Sequence, residues 1–150
     1  MIKLFILDTE YGIDKMLRDK GYEEKLISKL PVSWKKRIES TKSEDVRRNR
    51  ICAYLLLREM IKENYELFFP GIKDAYGDDV NSYCDSAGLT FSKSGRPSFL
   101  NIDVDFSISH TNGAVVIAVS FNGKEKVGVD VEEVSQKNED AAKKFISRYM

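Results

Sequence analysis

Residues 126 to 134, KVGVDVEEV, alternate valine with glycine and acid, so that Val127, Val129 and Val131 fall on one side of an extended chain and Gly128, Asp130 and Glu132 on the other. Side chains two apart on a strand share a face, with Cα atoms about 6.5 to 7 Å apart. Two ionised carboxylates at that spacing repel, and each raises the other's pKa unless a cation joins them. A hard divalent ion removes the conflict, and Mg²⁺ commonly takes one or two carboxylates and completes its shell with water and phosphate oxygens. A solvated strand end carrying ordinary surface acids would present the same pattern.

Three further stretches hold groups suited to anions. FSISHTNG contains His110, the sole histidine, just before a tight turn, with Ser109 beside it. His110 has the parity of Phe106 and Ile108, which fits a half-buried histidine bonded to backbone as well as it fits a phosphate donor. Residues 35 to 50 hold Lys35, Lys36, Arg37, Lys42, Arg47, Arg48 and Arg50 against Glu39, Glu44 and Asp45. Guanidinium forks match phosphate oxygens bidentately, although a solvated helix face with internal pairing would look alike. SGRP, residues 94 to 97, is a turn that presents Arg96. One histidine builds no zinc site, and Cys52 and Cys84 lack ligand spacing. Cys52 lies in an apolar run and is expected to be a buried free thiol.

The elements that must place these residues follow from periodicity. IKLFIL, residues 2 to 7, reads as a buried strand. Ser43 and the Thr41/Glu44 spacing start a helix over about residues 43 to 65, whose apolar face holds Ile51, Tyr54, Leu57 and Ile61. Residues 70 to 103 are less regular, with a short strand before the SGRP turn. VDFSISH, AVVIAVSF and KEKVGVDVEEV, separated by two Asn-Gly turns, predict a three-stranded antiparallel meander over 104 to 132. NEDAAKKFISRYM opens a closing helix, on which Phe145, Ile146 and Tyr149 await a packing partner. The fold class is therefore α+β, an antiparallel meander packed on a long helix.

The 150 residues carry 24 basic and 24 acidic side chains. That balance gives no net field toward nucleic acid or a membrane surface. No apolar stretch approaches the ~20 residues that span a bilayer. MIKLFILDTEYG reads as a strand rather than a signal peptide, and a reduced, cytoplasmic protein is the expectation.

In this order, RRNRICAYLLLR, GRP, FSISHTNG and VGVDVEEV resemble the 4′-phosphopantetheinyl transferases of the surfactin-synthetase-activating type, across residues 36 to 134. The family's patterns read roughly G-[KR]-P, F-N-[IV]-S-H-S and G-[IV]-D-[IV]-E. The resemblance implies a transferase-like lobe over 1–125 and the beginning of a second, incomplete lobe over 126–150. It implies Mg-dependent transfer of the phosphopantetheine arm of coenzyme A to a serine of an acyl or peptidyl carrier protein. Asp130 and Glu132 would be the catalytic pair that holds Mg²⁺ (or Mn²⁺) against the pyrophosphate. Ser109 and His110 would touch the 3′-phosphate region, Arg96 would lie near the nucleotide end, and Lys36 with Arg48 would complete the phosphate contacts.

Two departures stand out. Ser107 occupies the place of the family's usual Asn, and the W-x-x-K-E segment that supplies a further glutamate and lysine is absent. A non-catalytic module that binds coenzyme A or a carrier protein is therefore the alternative, and a structural or interaction domain with accidental resemblance is a further one. The apolar residues of the closing helix and an open sheet edge make a homodimer the expected assembly.

Overall fold

The computed structural model describes residues 1–72, 76–121, 125–134 and 136–149. The chain begins with strand β1 (Ile2–Asp8), helices α1 (Glu10–Arg18), α2 (Lys20–Ser28) and α3 (Val32–Glu39), and the long helix α4 (Glu44–Glu63). A short α5 (Tyr65–Phe68) and α6 (Val80–Ala87) follow. Strands β2 (Leu89–Phe91), β3 (Pro97–Phe99), β4 (Asp105–Thr111) and β5 (Ala114–Ser120) come next, and α7 (Gln136–Tyr149) closes the chain. The α+β expectation holds, with antiparallel sheets and a long helix. Among the described residues no helix is long and apolar enough to cross a membrane.

Helix α4 starts where its cap dictates. Ser43 has extended backbone and its side chain accepts from the Val46 N–H, which satisfies one of the donors a helix leaves open. Thr41 is not part of this cap; its hydroxyl donates to the Arg37 carbonyl at 2.7 Å. Ile51, Tyr54, Leu57 and Ile61 are buried as their spacing requires. They join Trp34 and Ile38 of α3, Phe68, Phe99 and Phe106, and Val115, Ile117 and Val119 of β5 in one apolar cluster. Full burial of each such side chain is worth about 1.5–3 kcal/mol. Helix α3 and the pair α1–α2 were not separable by period, because each is at most nine residues long.

The expected meander is corrected. β4 and β5 form the predicted hairpin across the two-residue turn Asn112–Gly113, with Thr111 opposite Ala114. The third strand of the sheet, however, is β1, and the order is β1-β5-β4. β1 pairs antiparallel along all of β5, from Ile2 opposite Ser120 to Asp8 opposite Ala114. It takes the edge a third meander strand would need, and residues 126–134 form no strand. β1 is itself not buried throughout. The core lies against one sheet face, so Phe5 and Leu7 are partly covered while Ile2, Leu4 and Ile6 are exposed. The second Asn-Gly turn, Asn122–Gly123, and the side chains of Phe145 and Tyr149 lie outside the described residues; Ile146 is exposed.

Both cysteines are buried free thiols. Burial pushes the Cys52 thiol up to about 11 and that of Cys84, also chiefly through burial, up to about 12. The thiolate is the reactive species, so alkylation of the native protein at pH 8 should be at least tenfold slower than in denaturant. The fold favours the protonated thiols; their stabilisation is complete below their ordinary value of 9.0 and is lost as pH rises through about 11 for Cys52 and about 12 for Cys84. Equal alkylation rates in the native and denatured chain would contradict this burial.

Gly88 caps α6 in the left-handed region, at φ 72°. A Cβ there would stand 2.6 Å from Asn101 Nδ2, whose amide donates to the Ser86 carbonyl. Gly88→Ala should therefore cost about 1–3 kcal/mol from strained φ and crowding. In a chain of this size that lowers Tm by roughly 3–9 °C, measurable by calorimetry; an unchanged Tm would contradict the cap.

Candidate functional site

The sequence from 126 to 132 keeps its alternation without a backbone ladder. Val127 is buried, Val129 and Val131 are half-buried, and Gly128, Asp130 and Glu132 are exposed. The segment runs beside β4 and bonds to side chains rather than to main chain. The Val127 N–H donates to Asp105 Oδ2 at 2.9 Å, that of Val129 to Ser107 Oγ at 3.3 Å, and that of Val131 to Ser109 Oγ at 3.1 Å. Each pair is separated by 22 residues. A constant separation means the segment travels in the same direction as β4. Serine hydroxyls and a carboxylate here replace backbone carbonyls as acceptors, a substitution short polar side chains make readily.

At the far end of this contact Ser109 Oγ also donates to Asp130 Oδ1 at 3.1 Å. Asp130 and the exposed Glu132 are thus two hard oxygen donors on the open side of one extended segment. Among the described residues no cluster of three or more His, Cys, Asp or Glu side chains is placed to hold a metal ion. Two carboxylates can supply only part of a hard cation's shell, and the rest would have to come from water or phosphate oxygens.

At the near end, Asp105 is an anchor that the sequence reading passed over. Its side chain is only 10% exposed and pairs with Arg96 at 3.2 Å and Lys126 at 3.4 Å. Arg96 also donates to the Val127 carbonyl at 3.1 Å. The SGRP turn, with Gly95 at φ 86°, therefore presents Arg96 to the start of the acidic segment. The available signal was the polar alternation Asp105, Ser107, Ser109 within VDFSISH, on the face opposite Phe106 and Ile108.

The remaining candidates are dispersed. His110 has the inward parity of Phe106 and Ile108, opposite Val115, but is exposed at the end of β4. Ser109 points to the other face, so the two do not form a pair. Arg96, at the β4 start, and His110 are separated by five strand residues, about 17 Å; one phosphate does not gather both. Arg48 bonds Glu44 at 3.2 Å and Asp45 at 3.3 Å. It shares a cleft of about 220 Å³ with Ile13, Asp45, Asn49 and Asn112 of the β4–β5 turn. Arg48 thus lies toward the His110 end of β4. Lys36 is exposed on α3.

Much of the basic run is committed to packing. Arg47 pairs with Glu23 at 2.6 Å, and Arg50 donates to Thr41 Oγ1. Arg37 stacks 3.6 Å over the Phe91 ring. Burial pushes the Tyr54 phenol up, while Arg37 and Arg50 pull it back.

No protein-family model matches the chain, and no curated protein matches it.

Asp105→Ala would strand the Val127 N–H and release both cations. The expected loss is about 1–3 kcal/mol, the cost of a partly buried donor left unmade. Arg96→Ala should cost less, since half of that side chain is in water and exposed pairs are screened. Urea unfolding of the two variants checks the order; a larger loss for Arg96→Ala would reverse the assignment of the anchor.

Proposed function

We propose that this chain binds coenzyme A through a divalent cation at Asp130 and Glu132 and belongs to the chemistry of phosphopantetheine transfer to a carrier-protein serine. The observation that carries the reading is the acidic segment itself. Two exposed carboxylates share one side of an extended run, and one of them is oriented by a hydrogen bond from Ser109. Other exposed acids also accept from serine, Asp85 from Ser33 and Asp79 from Ser82; what sets Asp130 apart is that the same Ser109 hydroxyl also accepts from the Val131 N–H. The order of motifs from the basic helix through GRP and FSISHTNG to VGVDVEEV supports the same reading.

Transfer of this kind joins the serine oxygen to the phosphorus bearing the pantetheine arm and breaks that phosphorus's bond to the bridging oxygen. The nucleotide leaves with that oxygen, and the serine proton goes to solvent or a base. Such a reaction needs charge neutralisation and alignment more than covalent help. Asp130 and Glu132 would hold Mg²⁺, which when bound neutralises the pyrophosphate. Ser109 fixes one oxygen of the Asp130 carboxylate by its hydrogen bond to Oδ1. His110, as a hydrogen-bond donor, and Lys36, as a cation, are both exposed and would meet the 3′-phosphate. Arg48 can do so from its cleft in exchange for its contacts with Glu44 and Asp45. Arg96 serves this site through the segment it anchors rather than by meeting His110 at one phosphate.

Metal and nucleotide binding should be coupled, because two carboxylates alone supply only about a third of an octahedral Mg²⁺ shell. Calorimetry should show weak Mg²⁺ binding without coenzyme A and tighter coenzyme A binding, by about tenfold or more, once Mg²⁺ is present. Asp130→Ala should abolish that gain. Equal coenzyme A affinity with and without Mg²⁺ in the wild type would sink the proposal. Coupled binding with no transfer to any carrier protein would identify a binding module instead.

A further inference from the structure

We infer that Asp105, Ser107 and Ser109 form a side-chain ladder that sets the register of the acidic segment, and that Ser109 is a positioning residue for Asp130. This deepens the proposed function, on which the meaning of Asp130 and Glu132 rests, but the ladder stands on contacts of its own. Three acceptors at alternate positions of β4 meet three N–H groups at alternate positions of the segment. Both series have the period of an extended chain.

The ladder opposes a slip in register. A shift of one residue would face the segment's N–H groups with Phe106 and Ile108, which offer no acceptor, and would turn Asp130 and Glu132 to the side the valines occupy. A shift of two toward the strand end would bring Val131 opposite Thr111, a further hydroxyl of β4, but would take Val127 off the charged, mostly buried Asp105 and move Asp130 away from Ser109. Backbone pairing would not give this selectivity, because every residue carries a carbonyl. Side-chain acceptors at chosen positions therefore specify where the carboxylates stand. The two ends differ in strength: Asp105 is a charged, mostly buried acceptor tied to Arg96 and Lys126, whereas Ser107 and Ser109 are neutral.

Ser109 has a second duty that Ser107 lacks. One hydroxyl accepts from the Val131 N–H and donates its proton to Asp130 Oδ1. That uses the donor and one acceptor site of the group, and it binds the carboxylate to the same atom that fixes the segment. Losing Ser107 should free the middle of the segment alone. Losing Ser109 should free its end and let the Asp130 carboxylate rotate.

The test uses the full chain, ¹⁵N-labelled, as wild type, Ser107→Ala, Ser109→Ala and Ser109→Thr, the last retaining the hydroxyl. Amide exchange is followed at Val127, Val129 and Val131. Ser109→Ala should speed exchange at Val131 by about fivefold or more, Ser107→Ala should do so at Val129, and Ser109→Thr should stay near wild type. In parallel, the Mg²⁺ concentration needed for half-maximal coenzyme A binding should rise about tenfold in Ser109→Ala and return toward wild type in Ser109→Thr. Unchanged Val131 exchange in Ser109→Ala, or equal losses in the Ala and Thr variants, would overturn the ladder. Wild-type chain that shows the exchange pattern but no metal-dependent coenzyme A binding would uphold the ladder and refute the functional reading.

Discussion

Both edges of β5 are occupied, one by β1 and one by β4, and the placement of the acidic segment follows from that constraint. A chain leaving β5 cannot simply turn back and pair with it. From residue 127 the chain runs instead beside β4, and in the same direction as β4, where its amides meet a carboxylate and two serine hydroxyls. Buried or half-buried amides must find acceptors, and Asp105, Ser107 and Ser109 supply them. The valines then face the protein and the acids face outward, so Asp130 and Glu132 owe their exposure to a topological fact about a different strand.

The hairpin and the long helix were legible because their signals are local. Asn112–Gly113 fixes a two-residue turn, and Ser43 begins α4 where its side chain can reach an amide. The third strand was not legible because strand order is non-local. IKLFIL and KVGVDVEEV both alternate or run apolar in ways that suit a strand, and nothing in either stretch states which will win the edge of β5. A separation of 22 residues divides each ladder pair, and more than a hundred residues separate β1 from β5, so pattern alone could not rank them. The alternation of valine and acid was nonetheless read correctly, since period two survives whether the partner acceptors are carbonyls or hydroxyls.

The candidate site divides along similar lines. That Asp130 and Glu132 fall on one side depends only on extended backbone, and both are exposed in the structure. Where Arg96 stands relative to His110 depended on tertiary placement: Arg96 pairs with Asp105 at the start of β4, and His110 lies near its end. In the basic run, composition showed the charges but not their commitments. Arg47 is spent on Glu23, Arg50 on Thr41 and Arg37 on an aromatic face. Guanidinium groups serve packing as readily as phosphate, and only the fold distinguishes the two. Asp105 escaped notice because a single buried acid between Val104 and Phe106 resembles any strand residue until its partners, Arg96 and Lys126, are brought from elsewhere in the chain.

The central claim, that the open side of residues 130–132 is where a divalent ion and a pyrophosphate meet, is open to direct observation. Mn²⁺ suits the same carboxylate and phosphate oxygens as Mg²⁺ and broadens the resonances of nuclei near it. Titrated with coenzyme A into the labelled chain, it should erase the amide signals of Val129 to Glu132 and of Ser109 while sparing those around Arg96. Broadening centred elsewhere, for example on the acids Glu44 and Asp45 at the start of α4, with residues 130–132 unaffected, would contradict it.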